Sequence, residues 1–307
     1  MKKIRLRAHI VLIFLIVILP FPGCSCRKKE GVHYTYYKNG RVESEYTYKN
    51  GVKEGKFKRY DEDGDLISEG IIQEEGVFET RYLYALDGTL KASVSYINNV
   101  RSGVNKEYFS SGVLKTERNY KDDKLNGLTK EFSINGVLQV EKEYKDDQLN
   151  GFVREYENGE LHFEKSYRNE KLNGISKEYG SNGKMKLEMT FQDDVLHGTA
   201  KEYDSEGKLL FEYQYVKGEM VSTKEFYASG SIMRETVMKS GKIVAIKEFY
   251  DRGALMREKK VLDGQPIQVT EYYENGSILY NNFYKSGILI SSEQYDVDGN
   301  LINVQNF

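Results

Sequence analysis

Glycine returns at a nearly fixed interval along this chain: Gly40, Gly64, Gly88, Gly112, Gly136, Gly159, Gly183, Gly207, Gly230, Gly253, Gly276 and Gly299, with gaps of 23 or 24 residues. A period of that length means stacked supersecondary units, each covering its neighbour. About half a period on comes a second turn signal, at Asn50-Gly51, Asp122-Asp123, Asp146-Asp147, Asp193-Asp194, Lys217-Gly218, Ser240-Gly241, Asp263-Gly264 and Ser286-Gly287. The segments between turns are rich in Tyr, Phe, Val, Ile and Thr, which is the signature of hairpin-joined strands. A helical array would need apolar residues at 3.6-residue spacing and would not tolerate glycine turns this often. Pro266 follows Gly264 by two residues, where it opens a strand without removing a ladder hydrogen bond. The expected fold is all-β: an elongated antiparallel β-hairpin repeat array of about 12 copies, forming one long twisted sheet over residues 34–307. At about 4.8 Å per strand, two dozen strands extend on the order of 100 Å.

The first 23 residues are different material. Lys2, Lys3, Arg5 and Arg7 precede an apolar run from Ile10 to Leu19, and Pro20 to Gly23 lead into Cys24. That pattern is a secretion signal, shorter than a comfortable membrane span. Phe21-Pro22-Gly23-Cys24 resembles a bacterial lipobox, which implies cleavage before Cys24 and its acylation. Residues 24–33 are then a lipidated N-terminus and linker, with Arg27, Lys28 and Lys29 at the headgroups. Cys24 and Cys26 are the only cysteines, so the repeat region has neither a disulfide nor a thiolate metal site. Without the four signal cations the balance is 41 Lys and Arg against 47 Asp and Glu. No basic tract follows residue 29, which argues against a nucleic-acid partner.

Period-2 alternation sorts the faces. Leu114, Thr116, Arg118 and Tyr120 share a side, as do Leu138, Val140, Lys142 and Tyr144. The aromatic of each Lys-Glu-Tyr signature is expected to join that side, at Tyr108, Phe132, Tyr156, Tyr179, Tyr203, Phe226, Phe249, Tyr272 and Tyr295. The opposite side is expected to take both glutamate series, Glu107, Glu131 and Glu155 with their counterparts and Glu117, Glu141 and Glu164 with theirs, relieved by Lys and Arg from neighbouring strands. Mid-strand glycines at Gly55, Gly103, Gly127, Gly151, Gly174 and Gly198 read as bulges or as bare backbone beneath or beside tyrosine rings. A bulge there brings Leu125, Leu149, Leu172 and Leu196 onto the aromatic face.

Tyr48-Lys-Asn-Gly-Val-Lys-Glu-Gly55, Tyr120-Lys-Asp-Asp-Lys-Leu-Asn-Gly127 and Phe191-Gln-Asp-Asp-Val-Leu-His-Gly198 give the chain a resemblance to the MORN-repeat variant family, the group labelled the YwqK-type antitoxin component. The resemblance spans about residues 34 to 307. It implies antiparallel hairpins strung into one long sheet, and it carries no catalytic residues over. Tyrosine or phenylalanine stands where better-known MORN repeats have tryptophan.

The glutamate rows recur in most copies, whereas an active site is a single departure from a pattern, so they read as a solvated charged face. The Asp-Asp turns lack the alternating oxygen ligands of a calcium loop and read as turn chemistry. No Ser/His/Asp grouping, phosphate-cradling loop or histidine cluster is present. The aromatic ladder reads as core, its cross-strand pairs contributing about 0.2–1 kcal/mol each. If any surface binds, it is expected to be that of Tyr108, Phe132, Tyr156, Tyr179, Tyr203 and Phe226. The expectation is a protein that is not an enzyme and uses no cofactor or metal. It is anchored through Cys24 at the cell envelope, periplasmic or surface-exposed, and binds protein partners as a scaffold, with an antitoxin-type role as the alternative.

Overall fold

The computed structural model describes residues 29–307. The signal segment, Cys24 and most of the expected linker lie outside the described residues. Twenty-five strands run from Gly31–Tyr36 to Leu301–Asn306, the first beginning three residues earlier than expected, and all belong to one sheet. Each strand pairs antiparallel with its neighbours in the chain, so the sheet is a meander. One strand is split, with Val100–Arg101 and Gly103–Tyr108 both lying against Leu90–Ile97. The array predicted from the repeat is therefore the fold observed.

The sheet is a single layer. Among the described residues no large side chain is fully buried, and the buried apolar residues are Phe57, Val153, Ala200 and Val261. With so little apolar burial, stability has to come from cross-strand pairs and backbone bonding. One row shows how. Thr129, Val153, Ser176 and Ala200 sit on alternate strands opposite the longer Lys142, Lys165, Met189 and Tyr213, and the four short residues are all buried.

Two turn types alternate along the edges. Asn50-Gly51, Asp122-Asp123, Asp146-Asp147, Asn169-Glu170 and Asp193-Asp194 have positive φ at both positions, which matches the right-handed twist of the flanking strands. At the other edge longer turns close on the period-marking glycine, as where Gly136 donates its N–H to the Ser133 carbonyl at 2.9 Å. Asn158-Gly159 is a two-residue turn in a long-turn position, which accounts for the 23-residue gap from Gly136 to Gly159.

The face assignment needs correction. Glu107 pairs with Thr116, but Tyr108 pairs with Leu114, so Lys115 is an extra residue. The same one-residue shift recurs in the following copies, for instance between Glu131 and Phe132 and between Glu178 and Tyr179. Directly opposed residues share a face, and one extra residue inverts the alternation beyond it. Glu107, Glu131 and Glu155 therefore lie with Thr116, Arg118 and Tyr120. Tyr108, Phe132 and Tyr156 lie on the other face, with Glu117 and Glu141. The aromatics are divided between the two faces, and so are the glutamate series.

The mid-strand glycines are bulges with φ between +100° and +135°. Five stand opposite an aromatic residue, as Gly127 does Tyr144 and Gly174 does Phe191. What a side chain at these sites would meet is a polar residue instead: Thr47, Ser95, Asn119, Ser166 or Thr190, and Glu143 at Gly151. Thr47, Ser95, Asn119 and Ser166 each donate to the carbonyl following the glycine, which satisfies a group the bulge leaves out of the ladder. The bulges do bring Leu125, Leu149, Leu172 and Leu196 opposite Tyr120, Tyr144, Tyr167 and Phe191.

Candidate functional site

On the face that carries Tyr108, one row crosses fourteen successive strands with alternating sign: Lys106, Glu117, Lys130, Glu141, Arg154, Glu164, Lys177, Glu188, Lys201, Glu212, Lys224, Glu235, Lys247 and Glu258. Ion pairs join many neighbours, at 3.4 Å for Lys106 with Glu117, 3.6 Å for Lys130 with Glu141 and 2.7 Å for Arg154 with Glu164. Each carboxylate but the terminal Glu258 stands between two cations, so the row is locally neutral. Its alternation favours one register, because any one-strand mismatch sets like charges opposite each other.

The six aromatics expected to bind lie along this row and support it. The Tyr156 hydroxyl donates to Glu141 at 2.8 Å, and burial followed by that carboxylate pushes its pKa up to about 12. Burial raises Tyr203 too, with the ladder residues Glu188 and Glu212 adding to it. Tyr108, Phe132, Tyr179, Tyr203 and Phe226 each oppose an aliphatic residue, namely Leu114, Leu138, Met185, Leu209 and Ile232. Their rings are engaged in cross-strand pairs.

The other face changes character in the middle of the array. In three consecutive copies Arg118, Lys142 and Lys165 hold Glu107, Glu131 and Glu155, at 2.8, 3.2 and 2.9 Å. In the next two copies the cation's position is taken by Met189 and Tyr213. Glu202 then has the Tyr213 hydroxyl at 3.2 Å in place of a cation, and Glu178 is met by Lys186 from the bulge. The resulting surface combines Phe163, Leu187, Met189, Phe211 and Tyr213, all half-buried, with the Phe211 and Tyr213 rings stacked at 5.9 Å. It is an apolar patch beside three ion-paired copies, with the carboxylates of Glu178 and Glu202 among its side chains. Among the described residues no group of three or more His, Cys, Asp or Glu is placed to hold a metal ion.

Five segments, residues 29–50, 53–74, 101–122, 172–193 and 196–217, match the model of the MORN repeat variant. The chain is similar to the MORN-variant repeat over those segments, 110 of its 307 residues. No curated protein matches the chain. Among solved structures, crystal structures of TcdB2-TccC3 and of TcdB2-TccC3-Cdc42 align with 90% of this chain at 13% and 14% identity and TM-scores of 0.25 and 0.24. The chain spans 18% of those chains, and at such scores the likeness says nothing of activity or partner.

Met189 and Tyr213 both fall inside MORN-variant segments, so the patch is a change within the repeat rather than a loss of it. Counting six residues on from Gly112, Gly136, Gly159, Gly183 and Gly207 reaches Arg118, Lys142, Lys165, Met189 and Tyr213 in turn. That column was open to reading in the sequence. What hid it was the misplaced glutamate partner, since Glu178 and Glu202 had been assigned to the opposite side.

Proposed function

We propose that this protein is a non-enzymatic binding scaffold, held at the bacterial cell envelope by lipid on Cys24, and that its protein partner docks on the surface of Phe163, Leu187, Met189, Phe211 and Tyr213. The observation that carries the reading is the change from Arg118, Lys142 and Lys165 in three consecutive copies to Met189 and Tyr213 in the next two. In the three preceding copies the charges on this face are spent on one another, and here apolar groups and the carboxylate of Glu202 are left for an outside partner. A partner segment with Lys or Arg beside apolar residues complements it.

The test restores what other copies carry. Met189→Lys with Tyr213→Lys gives Glu178 and Glu202 the cation seen at Lys142 and Lys165, so the sheet is expected to stay folded while partner capture from solubilised membranes is lost. Capture undiminished in the double variant would move the site elsewhere. Recovery of one stoichiometric toxin would favour the antitoxin-type reading over an envelope scaffold. For the anchor, incorporation of labelled fatty acid is expected to disappear in Cys24→Ala.

A further inference from the structure

One copy breaks the bulge pattern near the N-terminal end. Leu66–Gln73 pairs with Gly76–Tyr84 without a register shift, and Glu79 stands where other copies have the bulge glycine, fifteen residues past the marker. Opposite it is Gly70, where an added Cβ would come within 2.8 Å of the Phe57 ring and 2.9 Å of the Glu79 Cα, so the missing side chain gives the carboxylate room to lie inside. The Glu79 side chain is 5% exposed and bridges two arginines, Arg59 and Arg81. Burial acts to raise its pKa, but hydrogen bonds from Arg81, Ser68 and Arg59 outweigh that and hold the carboxyl below the usual range.

The arginines are fixed by more than Glu79. Arg59 Nε donates to Ser68 Oγ at 2.9 Å, while Arg81 stacks on the Tyr96 ring at 4.1 Å and donates to Asn99. Two guanidinium ions side by side need two negative charges, and among the described residues Glu79 is the one carboxylate paired with either. Each keeps its Nη1 free of partners among the described residues, and both side chains are more than a third exposed along a groove that also takes in Ser68, Tyr96 and Asn99. Two guanidinium groups held in place, each with a free Nη1 and with one charge between them uncompensated, can donate to the two oxygens of one carboxylate.

We propose that the groove between Arg59 and Arg81 binds a carboxylate group of a ligand, which completes an alternating cluster of two guanidinium ions and two carboxylates. This site is separate from the Met189 and Tyr213 surface and does not depend on it. The carboxylate could come from an acidic sugar or an acidic peptide, so the probes are glucuronate and N-acetyl-aspartate, titrated into the full-length protein by calorimetry with inorganic phosphate as control. One probe is expected to bind saturably at one site per chain, with the preferred probe naming the source. Arg59→Gln and Arg81→Gln are each expected to weaken it by about tenfold or more, while Arg118→Gln, an ion-paired arginine in a regular copy, leaves it unchanged. If Arg81→Gln loses its β-sheet circular dichroism, Arg81→Lys carries the test, since lysine keeps the charge and the Glu79 pair but has no fork, and the same weakening is expected. No saturable binding of either probe, phosphate binding more tightly than both, equal loss in Arg118→Gln, or full affinity in Arg81→Lys would each overturn the proposal.

Discussion

Copies between Val100 and Val216 and copies between Glu219 and Asn306 build the same hairpins but place most of the bonds between copies at opposite edges. In the first region a bulge glycine frees the backbone ahead of it, and the short turn of the next copy closes on that backbone. Asp147 donates its N–H to the Leu125 carbonyl at 2.9 Å and accepts the Leu125 N–H on its carboxylate at 2.7 Å. Asp123 does the same to Arg101, and Asp194 to Leu172. In the second region the bulge glycine is gone and the second turn residue is Gly241, Gly264 or Gly287, with no carboxylate to offer. Among the described residues no short turn after Gly218 makes the backbone bond. The stitch moves to the long-turn edge, where Tyr227, Tyr250 and Tyr273 donate to the carbonyls of Phe249, Tyr272 and Tyr295. Losing the glycine also shortens the period. The bulge before Ala200 sets three residues against one, whereas that before Ser222 adds a single residue, and the gaps fall from 24 to 23 from there on. The lesson is that a repeat can keep its architecture while exchanging the bonds between copies, and the MORN-variant matches end at residue 217, where that exchange occurs.

The sharpest break in this comparison is at the glycine. Gly151→Val forces a branched residue to φ +135° and against the Glu143 side chain, and a loss of about 1–3 kcal/mol is expected in urea unfolding. Ala245→Val, in the region without bulge glycines, is expected to change stability by less than about 0.5 kcal/mol. Next come the stitches. Asp147→Ala and Tyr250→Phe are each expected to cost about 1 kcal/mol, and native-state hydrogen exchange separates them. The first should speed exchange near Leu125 alone, the second near Tyr272 alone, and a global change in either would mean that the two regions are not independently tied.

The charge ladder gives a smaller effect. Lys130→Glu places three carboxylates in a row with Glu117 and Glu141, and a loss of about 0.5–1 kcal/mol is expected, shrinking as salt is added. The smallest concerns pH. Because the folded pKa of Tyr156 lies above its ordinary value of 10, its contribution to stability is complete below pH 10 and is lost as pH rises toward about 12. Absorbance titration at alkaline pH should show one late-ionising phenol fewer in Tyr156→Phe, and an unchanged curve would remove Glu141 as its partner.

Much of this was legible in the chain. Turn chemistry is local: Asn-Gly, Asp-Asp and Asp-Gly favour positive φ on their own, so hairpins, period and strand number could be counted off. The bulge at the mid-strand glycines was also readable, because glycine inside a strand has few other uses. The candidate surface was not. The extra residue at Lys115 and its counterparts has no mark of its own, and it exchanges the face of everything beyond it.

The order of residues therefore determined that this protein would be a meander of antiparallel strands with turns at both edges, since those choices depend on neighbours a few positions apart. The three-dimensional pairing alone decided which side Tyr108 and Glu107 occupy, that Asp147 reaches back to Leu125, and that Glu79 lies between two arginines. Those relations join residues on different strands, where a single unpaired residue changes register, and register has no signature within one strand.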